Sequence, residues 1–103
     1  MDPKQTPGPH FNIELGEKEA EGIYSNLALI SHSASEVIID FARALPGVPR
    51  GRVYARIVMT PSHAKSLLQA LETNLKTYEG SFGKIRMQGG ESDAKEIGFV
   101  AAP

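Results

Sequence analysis

The sequence has no cysteine. That excludes disulfides, thiol nucleophiles and cysteine zinc sites, and the default expectation is a cytoplasmic protein. It has no run of about 18 apolar residues, so no segment reads as a membrane span. It has no excess of one charge: 11 Lys and Arg stand against 12 Asp and Glu, for a net charge of −1. A general nucleic-acid binder carries a basic excess or stripe, so this balance argues against nucleic acid as a partner. The first ten residues, MDPKQTPGPH, are polar and proline-rich and do not read as a secretory signal.

What is present is ordinary globular material. Of 103 residues, 41% are hydrophobic and 22% charged, which suits one folded domain and argues against wholesale disorder. Pro3, Pro7, Gly8 and Pro9 mark residues 1–10 as a flexible tail. A single α+β domain is expected over residues 11–84. Residues 85–103, with Gly89-Gly90 and a charged patch, read as a loosely ordered tail ending in the apolar Ile97-Gly98-Phe99-Val100. A folded part of roughly 80 residues has a thin core, and oligomerisation is a natural way to bury more.

Phe11, Ile13 and Leu15 alternate with Asn12 and Glu14, the signature of a short strand. Ile23–His32, Glu36–Ala44 and Arg52–Thr60 read as three further strands, rich in branched and aromatic residues. Thr60-Pro61 supplies an N-cap followed by proline at the first helical position. Beyond it Ala64, Leu68, Leu71, Leu75 and Tyr78 step by four, three, four and three, with Leu67 widening the stripe and Gly80 as the stop. The expected fold is α+β: an antiparallel four-stranded sheet in β-β-β-β-α order, with one long C-terminal helix packed on one face.

Ser33-Ala34-Ser35 reads as a three-residue turn, which places Leu29 opposite Ile39, Leu27 opposite Phe41 and His32 opposite Glu36. The following pair is expected to match Phe41 with Ala55, Ile39 with Ile57, Asp40 with Arg56 and Ala42 with Tyr54. One face is then apolar: Leu27, Leu29, Val37, Ile39, Phe41, Val53, Ile57 and Met59. The other is mixed, with Ala28, Ile30, Ile38, Ala42, Tyr54 and Val58 around Asp40 and Arg56, and an exposed apolar cluster of this kind marks a contact surface. The expected assembly is a homo-oligomer, most simply a two-fold dimer through that face. The 4-3-4-3 helix stripe is the competing surface.

Four constellations invite chemistry, each with a plainer reading. His32 with Glu36 and Ser31, Ser33 and Ser35 has the residue types of a base, an orienting acid and a nucleophile. Turn composition and a cross-strand polar pair account for the same residues, with no oxyanion hole in view. His10, His32 and His63 match no compact zinc spacing, so no metal and no cofactor is expected. Asp40 and Arg56 read as a structural ion pair. Arg43, Arg50 and Arg52 gather around the Leu45–Gly51 loop, where they suit an anion or simply solvent. Tyr24 and Asn26 belong to a Tyr24-Ser25-Asn26 string, and asparagine is disfavoured in a strand.

The string IYSNLALISHSASEVIIDFARALPG, followed by RVYARIVMTPSHAKSLLQALETNLKTYEGSFGKI, resembles a family of small bacterial proteins catalogued only as a domain of unknown function. YSN, the HS turn, the E…DF strand, ARIVM-P-HAK and the YE…FG-I helix end carry the resemblance over roughly residues 22–85. It implies a soluble bacterial protein and assigns no catalytic residue. The strand order and terminal helix are also similar to the export chaperone SecB, an oligomer that holds unfolded chains. The expected function is a non-enzymatic, homo-oligomeric module that binds a protein or peptide, chaperone-like in one version, through Tyr24, Asn26, Ile30, Ile38, Asp40, Tyr54, Arg56 and Val58. The alternatives are a small enzyme centred on His32 and Glu36, or an anion- or nucleic-acid-binding module using Arg43, Arg50 and Arg52.

Overall fold

The structure is a computed structural model that describes residues 11–87, and 99–101 at the level of the backbone. The tail expected over residues 1–10, and residues 88–98 and 102–103 of that expected over 85–103, lie outside the described residues. One helical turn, α1 (Glu17–Ala20), precedes three strands, β1 (Leu27–His32), β2 (Val37–Arg43) and β3 (Arg52–Met59). The long helix α2 (Pro61–Phe82) follows, and then β4 (Phe99–Ala101). The chain is α+β, with β1, β2 and β3 as an antiparallel sheet. The expected β-β-β-β-α order is corrected at both ends. Phe11–Leu15 forms no ladder, and the short β4 lies parallel to β1, giving the order β3-β2-β1-β4. Alternation makes a segment compatible with a sheet, but a strand exists only where an edge accepts its backbone. Here the outer edge of β1 is occupied by β4.

The hairpin between β1 and β2 closes one residue tighter than expected. The Ser33 amide donates to the Glu36 carbonyl at 2.9 Å, leaving Ala34-Ser35 as a two-residue turn. The Ser33 hydroxyl accepts from the Ser35 and Glu36 amides at 3.3 and 3.2 Å, which fixes this closure. The register is therefore Leu27 to Ala42, Leu29 to Asp40, Ile30 to Ile39 and His32 to Val37. A one-residue slip moves every side chain of β1 to the other face relative to β2. Ala28 and Ile30 thus join Val37, Ile39 and Phe41, while Leu27 and Leu29 join Ile38, Asp40 and Ala42.

Between β2 and β3 the expected pairs hold from Val37–Met59 through Phe41–Ala55. A bulge then intervenes, and Ala42 meets Val53 rather than Tyr54. The extra residue in β3 leaves Tyr54 without a register partner and turns it toward the strand ends.

The helix begins as its sequence dictates: the Thr60 hydroxyl accepts from the His63 amide at 3.1 Å and Pro61 occupies the first turn. It runs through Gly80 and stops at Gly83, whose φ of 96° only glycine adopts freely. The Glu79 carboxylate then accepts from the Ile85 amide at 2.9 Å and ties down the exit. Among the described residues the expected docking of α2 on a sheet face does not occur, and none of its residues is buried. The cause is local. Thr60 alone links β3 to α2, with extended φ and ψ of −73° and 158°, and one residue cannot reverse the chain onto the sheet. Among the described residues the buried hydrophobic set is only Ala28, Ile39 and Ala42.

Candidate functional site

Three surfaces arise from this layout. The first is the sheet face holding Leu27, Leu29, Ile38, Val53 and Val58 around Asp40 and Arg56. Cross-strand register puts these two opposite one another, and the guanidinium grips the carboxylate with both arms, Nε to Oδ1 at 2.7 Å and Nη2 to Oδ2 at 2.9 Å. The Asp40 side chain is only 14% exposed against 64% for Arg56, so the arginine lies over the acid like a cover. The expected mixed face is divided by the register: Ile38, Asp40, Ala42, Arg56 and Val58 stay together, Ala28 and Ile30 lie on the opposite face, and Tyr54 leaves through the bulge.

The hydrogen bond from Arg56, opposed by partial burial, holds the Asp40 carboxyl below its ordinary 3.8. Folding lowers this pKa, so the stabilisation is complete above the ordinary value and is lost as pH falls through the lowered one. Urea midpoints followed from about pH 5 to pH 2 are expected to drop in that window, and to drop less in Asp40→Asn.

Asn26, singled out for standing where a strand disfavours it, has a structural duty. Its side chain donates to the Ala44 carbonyl and accepts from the Ala44 amide, both at 3.0 Å. This side chain adds one rung to the β1–β2 ladder where the backbone has ended. The Ser25 hydroxyl reinforces it through the Ala42 carbonyl at 2.9 Å. Asn26→Ala is expected to cost about 1–3 kcal/mol in urea unfolding, because two part-buried groups lose their partners. Tyr24, by contrast, is exposed and holds no described contact.

The second surface is a basic corner. The register sets Arg43 directly opposite Arg52. Both guanidiniums lie over the Tyr54 ring, 4.6 and 5.3 Å from its centroid. A hydrogen bond from Arg43, together with both positive charges, draws the Tyr54 hydroxyl below its ordinary 10.0 against the effect of desolvation. Arg50 stands exposed on the adjoining loop, which is turned by Pro46-Gly47, with Gly47 at φ 77° and the Val48 amide donating to the Leu45 carbonyl at 3.1 Å. The sequence indicated the three arginines; Tyr54 as the shared platform of Arg43 and Arg52 was visible only through the bulge.

The histidine–serine constellation is not assembled. His32 pairs with Val37 instead of Glu36, and both His32 and Glu36 are exposed. The Ser33 hydroxyl is engaged by the turn amides. His63 lies in the first turn of α2, His10 is outside the described residues, and among the described residues no three His, Asp or Glu side chains gather as a metal site. No described helix is long and apolar enough to cross a membrane.

The third surface is α2 itself. Leu67, Leu68, Leu71, Leu75 and Tyr78 are between 44% and 63% exposed, and Phe82, at 75%, lies 5.0 Å from the Tyr78 ring. Leu67, Ala70, Leu71, Asn74, Leu75 and Tyr78 line an open groove of about 430 Å³ along the helix. Phe82 extends the expected stripe by another step of four, a position hidden from the sequence reading by the supposed stop at Gly80.

A family model described as a protein of unknown function, DUF3467, matches residues 1–87. No curated protein and no solved structure matches the chain.

Proposed function

The chain belongs to that family, whose description assigns no activity, and we propose from its surfaces that it is a non-enzymatic, homo-oligomeric protein-interaction module assembled through α2. The observation that carries this is a helix of 22 residues with an unbroken apolar stripe and no buried residue. Ordering a backbone costs about 1–2 kcal/mol per residue. The two alanines and one isoleucine buried among the described residues do not offset that. A lasting cover is required, and the occupant present wherever the chain is made is another copy of it.

The stripe is suited to that occupant. Its spacing of four, three, four, three and four is the same read in either direction, with Thr73 at its centre. An antiparallel pair about that centre sets Ala64 against Phe82, Leu68 against Tyr78 and Leu71 against Leu75. Ala64, the smallest residue of the stripe, thus meets Phe82, and leucines meet Leu75 and Tyr78. Lys65 of one copy also approaches Glu79 of the other. The sheet face of Leu27, Leu29, Ile38 and Val58 around Asp40–Arg56 remains available for a protein or peptide partner, and a chaperone-like use of it is the special case in which many unfolded chains are accepted.

Two readouts test the assembly. The melting temperature of an obligate dimer rises with protomer concentration, here by about 3–6 °C for each tenfold. Because the chain has no cysteine of its own, a chain carrying Ala64→Cys mixed with one carrying Phe82→Cys reports orientation directly. Antiparallel pairing gives the mixed disulfide, and parallel pairing gives only like-with-like products. A melting temperature independent of concentration with no cross-link of either kind rejects assembly through α2.

A further inference from the structure

The basic corner has a counterpart in the same sequence. From Phe41 to Leu71 there is no Asp or Glu, while Arg43, Arg50, Arg52, Arg56 and Lys65 all fall in that stretch. Arg56 is committed to Asp40; Arg43, Arg50 and Arg52 have no carboxylate partner among the described residues. Like charges directly opposite each other in a sheet destabilise it, and Arg43 facing Arg52 is such a pair unless an anion lies over it. Tyr54, Val53, Leu45 and Val48 add exposed apolar surface beside those charges. β3 also stands at the edge of the sheet, so its outer backbone groups are unpaired among the described residues.

The complementary element is the segment Phe11–Glu21. It holds Glu14, Glu17, Glu19 and Glu21 against a single Lys18. Its apolar Phe11, Ile13 and Leu15 alternate along the chain and are 83%, 84% and 73% exposed. Its described hydrogen bonds are all local to α1, so nothing among the described residues outside it holds it. A stretch that alternates like a strand, Phe11–Leu15, followed by the acidic turn α1, is fitted to an open strand edge flanked by unneutralised arginines.

We infer that Phe11–Glu21 of a second copy docks along the outer edge of β3, with its glutamates neutralising Arg43, Arg50 and Arg52 and its apolar residues covering Val53 and Tyr54. The corner lies at the start of β3, and α2 leaves from the other end of that strand. The junction is thus a contact separate from the α2 pair.

Reciprocal charge reversal tests the junction separately from the helix pair. One full-length variant carries Arg43→Glu, Arg50→Glu and Arg52→Glu. The other carries Glu14→Lys, Glu17→Lys and Glu21→Lys. The readout is amide hydrogen exchange over residues 12–21, which α2 pairing does not touch. The wild-type segment is expected to be protected. Each variant alone is expected to exchange at least tenfold faster, as is the wild type in 1 M salt. A mixture of the two variants is expected to regain protection, because each reversed corner then meets a reversed segment from the other chain.

Wild-type exchange as fast as that of the variants overturns the inference. So does protection in the chain carrying all six reversals combined with none in the mixture, since the segment would then cover its own corner. Should the arginine variant fail to fold, the glutamate variant and the salt response decide: unchanged exchange in both overturns the junction.

Discussion

Leu71→Asp is expected to reduce the assembly to its α2-unpaired form and to abolish cooperative unfolding near room temperature. Leu71 lies at the middle of the stripe, two residues from its centre of symmetry, so a two-fold pair carries the substitution twice at the heart of the seam. Each new carboxylate has to leave water for an apolar groove with no cation to meet it, or the groove has to open. Unpaired buried charges are among the few changes that cost about 4 kcal/mol or more, which rivals the whole stability of a small domain. Gln69→Asp is the control, on the polar side of the same helix. It is expected to leave mass unchanged and to cost only a few tenths of a kcal/mol through helix propensity. Light scattering after size exclusion, with thermal unfolding on the same samples, gives both numbers. If Leu71→Asp keeps the wild-type mass and melting temperature, α2 is not the seam, and Ile38→Asp on the sheet face becomes the substitution to make.

Ile39→Ala is expected to cost about 2–5 kcal/mol in urea unfolding, the largest effect of any single truncation in the sheet. Ile39 is 8% exposed and sits in the central strand of the antiparallel sheet, between Ile30 and Ile57. Its two neighbours close over it from both sides, so truncation leaves a void that the sheet cannot collapse into. Leu29→Ala is the comparison. Leu29 is 40% exposed on the opposite face, and the loss there should be less than half as large. The ordering depends on the register: were Leu29 to face Ile39, the two truncations would be coupled and similar in cost. Equal losses at the two positions would therefore reject the hairpin closure at Ser33.

The resemblance to a domain of unknown function carried over to a family match across residues 1–87. Local chemistry explains which other expectations survived. The three strands with their branched residues, the Thr60-Pro61 start and the apolar stripe of α2 are each written within a few consecutive residues, and each appears, with β1 beginning at Leu27 rather than Ile23. The Asp40–Arg56 pair was also legible, because opposite charges and matched apolar positions agreed on one alignment of β2 with β3.

What the sequence could not decide depends on single contacts or on neighbours far along the chain. One serine hydroxyl closing on two amides shortened the first hairpin and exchanged the faces of β1. One bulged residue moved Tyr54 from the expected mixed face to the arginine corner. Asn26 drew attention as a break in a strand pattern, and only the position of Ala44 showed that its amide continues the ladder. Phe11–Leu15 alternates as a strand should, yet alternation does not supply an edge. The stripe of α2 specified that something must cover it, whereas the one-residue link at Thr60 decided that its own sheet does not. Periodicity and capping are properties of neighbouring residues, and the sequence alone determined them. Register, facing and cover are properties of pairs brought together by folding, and those the tertiary structure alone decided.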